Sequence, residues 1–133
     1  MNRVFSHLQR GAALVAMNRN HYWATDEGLR LDTGTFLAGL EQASGVVATM
    51  TGKPAPTFFT SALATIGADP DSAIMVGDDA VSDVAGAQEV GIRGVLVRTG
   101  KYLPRDQERA AVQPDHVLDS FADLPALISE LND

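Results

Sequence analysis

Three short apolar runs constrain this chain more than anything else in it: VVATM at 46–50, AIMVG at 73–77 and GVLV at 94–97. Their apolar residues run on rather than alternating with polar ones, so each reads as a strand covered on both faces. Segments of helical period separate them. PTFFTSALATIG (56–67) carries Phe58, Phe59, Leu63 and Ile66 and closes on Gly67, and AVSDVAGAQEVG (80–91) closes on Gly91. GTFLAGLEQASG (34–45) precedes the first run, with Phe36, Leu37, Leu40 and Ala43 on one face and Gly45 as its stop. Apolar strands alternating with amphipathic helices predict an α/β, Rossmann-like fold whose parallel sheet has helices on both sides.

The flanking segments fit this scheme less regularly. AALVAM (12–17) reads as a further buried strand, and HYW (21–23) extends it or pairs beside it. TDEG (25–28) and ADPDS (68–72) are turn chemistry. RTGKYLPRDQER (98–109) is a polar connection, HVL (116–118) a short strand, and Ser120 with Asp123 an N-cap pair ahead of a helix over 121–131. A length of 133 residues is that of one ordinary domain.

Composition narrows the function. A net charge of -7 argues against a nucleic-acid or acidic-membrane surface. The absence of cysteine rules out a disulfide framework, a thiolate zinc site and a cysteine nucleophile, and suits a cytoplasmic protein. AALVAM is too short to span a bilayer and lacks the order of a signal peptide.

In open parallel sheets, ligands bind beyond the carboxyl ends of the strands. Lys53 lies just past the run at 46–50, Asp78 and Asp79 just past 73–77, and Thr99, Gly100 and Lys101 just past 94–97. Three polar groups are therefore expected on one edge. Three aspartates within MVGDDAVSDVAG (75–86) repel one another unless a positive charge lies among them. Helix capping accounts for one or two of them but not for adjacent Asp78 and Asp79 directly after Gly77. A Mg²⁺ site accounts for the cluster better, with Asp78 as direct ligand and Asp79 and Asp83 as outer support. Hard oxygen donors with no histidine nearby suit Mg²⁺ over zinc.

Lysine is scarce, with only Lys53 and Lys101 against eight arginines. Lys53 in TGKPAP is placed to offer a point charge to a phosphate, whereas Lys101 reads as a loop residue at the rim. Neither GK has the spacing of a nucleotide P-loop. LDTGTF (31–36) imitates a D-x-D-G-T nucleophile motif. It lacks the second aspartate, Gly34 standing in its place, and ATDEGLR ahead of it is no apolar strand, so it reads as a turn and helix start. His7, His21 and His116 are isolated, and Tyr22 and Trp23 read as packing residues. A receiver-like phosphoacceptor, with Asp78, Thr99 and Lys101, is imitated only loosely, because the acidic pair comes late in the chain.

GKPAPTFF followed by AIMVGDDAVSDVAGAQEVGIRGVLVRTGKY resembles the C-terminal half of haloacid-dehalogenase (HAD)-superfamily phosphatases. The branch is that of phospholysine/phosphohistidine/inorganic-pyrophosphate phosphatases and HAD-like hydrolase domain-containing proteins. The likeness runs from about Gly11 to the end and includes Y-W…G-L-x-L-D-x-G-x-F…L-E-x-A-S-G at 22–45. It implies a three-layer HAD-type core over 34–133, incomplete, with the last strands of a cap domain at 1–33. It also implies phosphoryl hydrolysis through an aspartyl-phosphate, with Mg²⁺ and a lysine neutralising the phosphoryl charge. Lys53 matches the family's catalytic, phosphate-binding lysine, Asp78 its metal aspartate, and Asp79 and Asp83 the accompanying acids. The family's nucleophile and Ser/Thr phosphate motifs lie upstream of the cap and have no counterpart here. The expectation is a phosphatase portion without turnover of its own, acting on a phosphorylated small molecule or phospho-amino acid once complete. The alternative is a non-catalytic Mg²⁺- or phosphate-binding or sheet-completing module. A sheet lacking its nucleophile strand is expected to have an open edge, to be closed by a second copy or by the missing half.

Overall fold

A computed structural model describes residues 1–132, which divide into two compact units, Met1–Gly52 and the described residues from Lys53 onward. In the first unit, helix α1 (Asn2–Leu8) precedes two small sheets. Strand β1 (Val15–Ala16) pairs in parallel with β4 (Thr49–Met50), with Val15 opposite Thr49. Strands β2 (Tyr22–Thr25) and β3 (Gly28–Leu31) form an antiparallel hairpin in which Thr25 faces Gly28. The turn lies where TDEG predicts it. Thr25 Oγ1 donates to the Gly28 carbonyl at 2.8 Å and accepts the Glu27 N–H at 3.3 Å. HYW therefore begins a hairpin of its own and does not extend the preceding strand.

Helix α2 (Thr33–Ser44) starts at Asp32, whose carboxylate accepts the Thr33 N–H, and stops at Gly45, which takes φ 73°. Asp32 is thus an N-cap, and LDTGTF is a helix start as its sequence predicts. Gly34 is required by space: a Cβ there would lie 2.2 Å from the Arg19 carbonyl oxygen. Arg19 grips Glu41 of α2 through two bonds of 2.7 and 2.8 Å, and Glu41 also accepts the Ala48 N–H at 2.7 Å. The strands β1 and β4 are much shorter than the apolar runs that contain them, and Val15 (61 %) and Val47 (77 %) stay exposed. Parallel pairing is cooperative across a sheet, and among the described residues these two strands have only each other.

The second unit holds a three-stranded parallel sheet of order β5–β6–β7, with β5 (Ile74–Gly77), β6 (Arg93–Val97) and β7 (His116–Leu118). Helix α3 (Pro56–Ile66) begins with proline in its first turn and ends at Gly67, φ 67°. Its Phe59 and Leu63 bury against Ala87 and Ile92. A second cluster of Ala80, Val84 and Leu96 packs with Tyr102, Ala110 and Val117. Segment 80–91 is helical but not uniformly α. Ala80–Ala85 is a π turn that continues into α4 (Gly86–Gln88). Within 98–109 the chain forms α5 (Pro104–Arg109), where a loop is expected from its polarity. The chain closes with a 3-10 turn at Phe121–Asp123, capped reciprocally by Ser120 and Asp123, and α6 (Leu124–Leu131).

Candidate functional site

The site grows out of the exits of β5 and β6. Their parallel register sets Gly77 opposite Leu96, so both strands end at one level and release their following residues side by side. Gly77 has no room for a side chain, because a Cβ would lie 2.3 Å from Asp83 Oδ2. That close approach brings the first turn of the helical segment back onto the end of the strand. Asp79 starts this turn by accepting the N–H groups of Val81 (3.0 Å) and Ser82 (2.8 Å) on Oδ1. Its carbonyl receives both Asp83 N (3.0 Å) and Val84 N (3.2 Å), which makes the turn a π turn. Such turns recur at functional sites.

The positive charges among the aspartates are lysines. Lys53 Nζ bonds Asp83 Oδ1 at 2.6 Å, and the Asp83 side chain is only 6 % exposed against 40 % for Lys53. Asp83 Oδ2 accepts the Asp79 N–H at 3.3 Å. Lys101 Nζ bonds Asp79 Oδ2 at 2.8 Å. Asp78 Oδ2 accepts the main-chain N–H of Lys101 at 2.8 Å. Gly100 makes that contact possible, at φ 60° and with 2.0 Å between a would-be Cβ and Asp78 Oδ2.

Burial pushes the Asp79 carboxyl up, but the Lys101 ammonium and the Ser82 and Val81 N–H groups outweigh it, and it titrates below the ordinary carboxylate range. Burial likewise pushes the Lys101 ammonium down, and Asp79, with Asp83 and Asp78 behind it, carries it above the ordinary lysine value. A cleft of about 180 Å³ opens beside these groups, lined by Asp78, Asp79, Lys101, Tyr102, Asp106 and Arg109 among others.

The residues expected from the sequence thus meet. Lys53, Asp78, Asp79 and Asp83 lie within one hydrogen-bonded cluster. Lys101, read as a rim residue, is an integral member, bonding Asp79 through its ammonium and Asp78 through its backbone. Its scarcity in the sequence and its place after a strand were the available signals. Among the described residues no three His, Asp or Glu side chains are placed to surround a metal ion. The donor set still suits Mg²⁺. Of the carboxylate oxygens of Asp78, Asp79 and Asp83, only Asp78 Oδ1 has no protein donor among the described residues. Mg²⁺ is commonly held by one or two carboxylates, with water and substrate phosphate completing its shell.

A parallel α/β sheet with acidic and lysine groups gathered at its carboxyl edge defines a class: open-sheet α/β proteins whose ligand site lies beyond the strand ends. Comparison with known proteins places the chain within it. Residues 50–124 match the hydrolase-like family described as HAD-hydrolase-like, and the chain belongs to that family. It is 42 % identical over 135 residues to the phospholysine phosphohistidine inorganic pyrophosphate phosphatase of Mus musculus, covering 100 % of this chain and 50 % of that protein. Among solved structures it resembles a p-nitrophenyl phosphatase from Archaeoglobus fulgidus, with TM-score 0.85, 27 % identity, and coverage of 95 % of this chain and 50 % of that one. It also resembles the glycerol phosphate phosphatase Rv1692 from Mycobacterium tuberculosis in complex with magnesium, with TM-score 0.79, 30 % identity, and coverage of 87 % and 35 %. The chain spans about half the length of the curated relatives it matches. No helix among the described residues is long and apolar enough to cross a membrane.

Proposed function

We propose that this chain is a portion of a Mg²⁺-dependent phosphomonoester hydrolase of the HAD type, carrying the lysine and one metal carboxylate but not the nucleophile. The observation that supports this most directly is the division of labour among the aspartates. Asp83 and Asp79 are each neutralised by an ammonium, which leaves Asp78 alone with an uncommitted oxygen at the strand end. Asp78 would hold the ion, and Asp79 and Asp83 would fix its surroundings. Bound Mg²⁺ would spread the charge of the transferring phosphoryl group.

Lys53 spends one N–H on Asp83 and keeps others for phosphate oxygens. Asp83 aims it, since a buried carboxylate with one strong partner fixes that partner's direction. The covalent step needs a carboxylate nucleophile. Asp32, the aspartate in the nearest imitation of that motif, is occupied as the N-cap of α2. The chain alone is therefore expected to lack turnover.

On this reading residues 1–33 derive from a cap domain and 34–133 from the hydrolase core. The compartment is cytoplasmic, and nucleic acid and membrane are not partners. The substrate is a phosphorylated small molecule or phospho-amino acid, handled when the missing groups are supplied. The test is phosphate release from p-nitrophenyl phosphate by the purified chain, with and without Mg²⁺, beside Asp78→Asn. Turnover that needs both Mg²⁺ and Asp78 would refute the account of the missing nucleophile.

One observation favours a second reading, a sheet-completing interaction module. Among the described residues β5 pairs only with β6, and Ile74 at its start is 36 % exposed. An open edge of this kind invites another strand, from a second copy or from a partner carrying the missing half. Sedimentation velocity over a concentration series distinguishes the two cases, because only self-association through the edge depends on the concentration of this chain alone.

A further inference from the structure

Asp79 raises a question that capping does not answer. One oxygen, Oδ1, does all the capping, and the other, Oδ2, is held by Lys101 at 2.8 Å. Lys101 comes from the turn after β6, twenty-two residues on, and its main-chain N–H simultaneously holds Asp78 Oδ2. Asp78 and Asp79 line the same cleft. Without the ammonium, Asp79 Oδ2 would be a second carboxylate oxygen without a donor, on the cleft that Asp78 also lines.

The number of available oxygen ligands, with cavity size and flexibility, separates the two common hard cations. Ca²⁺ takes six to eight oxygens in flexible geometry and gains from each added carboxylate, whereas Mg²⁺ keeps several waters and needs few protein ligands. The geometry points to Lys101 as a cation-selectivity residue. By occupying Asp79 it keeps the site at one free carboxylate oxygen, which favours a small, largely hydrated ion over a larger one. This rests on the reading of Asp78 as the metal ligand. It adds that the lysine beside the site determines which ion that ligand takes.

The test is a ¹H–¹⁵N NMR titration of the purified chain with MgCl₂ and, separately, CaCl₂, read at the amides of 77–82 and of residue 101. The proteins are wild type, Lys101→Met, Lys101→Arg, Lys101→Met with Asp79→Asn, and Asp78→Asn. Both ions are divalent, so loss of the ammonium's repulsion strengthens both alike. The ratio of the two affinities isolates the freed carboxylate. Lys101→Met is expected to shift that ratio toward Ca²⁺ by roughly tenfold, the scale on which ligand charge tunes such sites. Lys101→Arg should keep the wild-type ratio, and adding Asp79→Asn should restore it.

An unchanged ratio in Lys101→Met, or a shift that survives Asp79→Asn, overturns the inference while leaving Asp78 as a ligand. Mg²⁺ binding that is unaffected by Asp78→Asn, or no binding to wild type and Lys101→Met alike, overturns the metal reading and the inference together.

Discussion

Removing either partner of the Lys53–Asp83 pair deletes the same 2.6 Å bond, yet the two deletions should not cost the same. The Asp83 side chain is 6 % exposed and Lys53 is 40 % exposed. Lys53→Met leaves a buried carboxylate whose remaining donor is the Asp79 N–H at 3.3 Å. Stranding one member of a fully buried pair costs about 3–5 kcal/mol. Because water reaches the lysine side of this pair, the cost falls to or below the bottom of that range, and about 2–3 kcal/mol is expected for Lys53→Met.

Asp83→Asn removes the counter-charge instead, and the part-exposed ammonium turns outward and rehydrates. The expected loss is about 1 kcal/mol, the scale of a part-exposed ion pair. The double variant removes the buried charge altogether and should cost less than the sum of the singles. Urea unfolding followed by far-UV circular dichroism is the assay. The fluorescence of Trp23 would report the other compact unit. With a slope of about 1–3 kcal/mol per molar urea, the Lys53→Met midpoint should fall by on the order of 1 M. Equal losses for the two singles, or strict additivity in the double variant, would refute the argument that the stranded buried carboxylate sets the cost.

Three further outcomes follow from the same geometry. Gly100→Ala places a methyl where Asp78 Oδ2 lies and forces a left-handed backbone on alanine, at about 1–2 kcal/mol for the backbone alone. It should lower the urea midpoint and weaken Mg²⁺ binding in an NMR titration together. Phe59→Ala empties the centre of the α3 core, where Phe59 is 2 % exposed, and should cost about 3–5 kcal/mol by the same unfolding assay. Arg19, and then the Ala48 N–H, hold Glu41 down to about 2 from 4.5. Because the folded value is the lower one, this contribution to stability is full above pH 4.5 and fades as pH falls toward 2. Glu41→Gln should lack that component of acid sensitivity, so unfolding curves of the two proteins between pH 5 and pH 2.5 should converge as the pH drops.

The α/β class was legible because the chain's strands and helices are punctuated by residues with one physical meaning each. Gly45 and Gly67 end their helices in the left-handed region the pattern predicts. Ser120 and Asp123 cap each other as their spacing requires. What stayed hidden was local in a different way. Segment 80–85 has an ordinary helical composition. Its π turn exists because one carbonyl, that of Asp79, receives two N–H groups, an arrangement fixed by the contact of Asp83 with Gly77 and not by propensity. Helix α5 hides within a polar segment although Pro104 at its start, Asp106 in its first turn and Arg109 in its last are all start and stop signals. Its polarity outweighed them because the exposed face is most of what a six-residue helix has to show.

The run AIMVG looks the most buried in the sequence and is not the most buried strand. Val95 and Leu96 of β6 are fully enclosed while Ile74 of β5 is 36 % exposed. Apolar sequence records which side chains require cover, and cover depends on neighbours to either side. The same distinction explains the site. That Asp78 and Asp79 leave one strand and Lys101 leaves another can be read along the chain. That the two strands end level, so that one lysine reaches both aspartates, depends on the parallel register of Gly77 against Leu96. A slip along β6 would carry Gly100 and Lys101 away from the aspartates and leave Asp79 without its ammonium. Register is held by packing, through Val84 and Gln88 against Gly94, where a Cβ would come within 2.7 Å of Val84. The charge balance of the site is therefore set in part by a glycine that makes no polar contact with it.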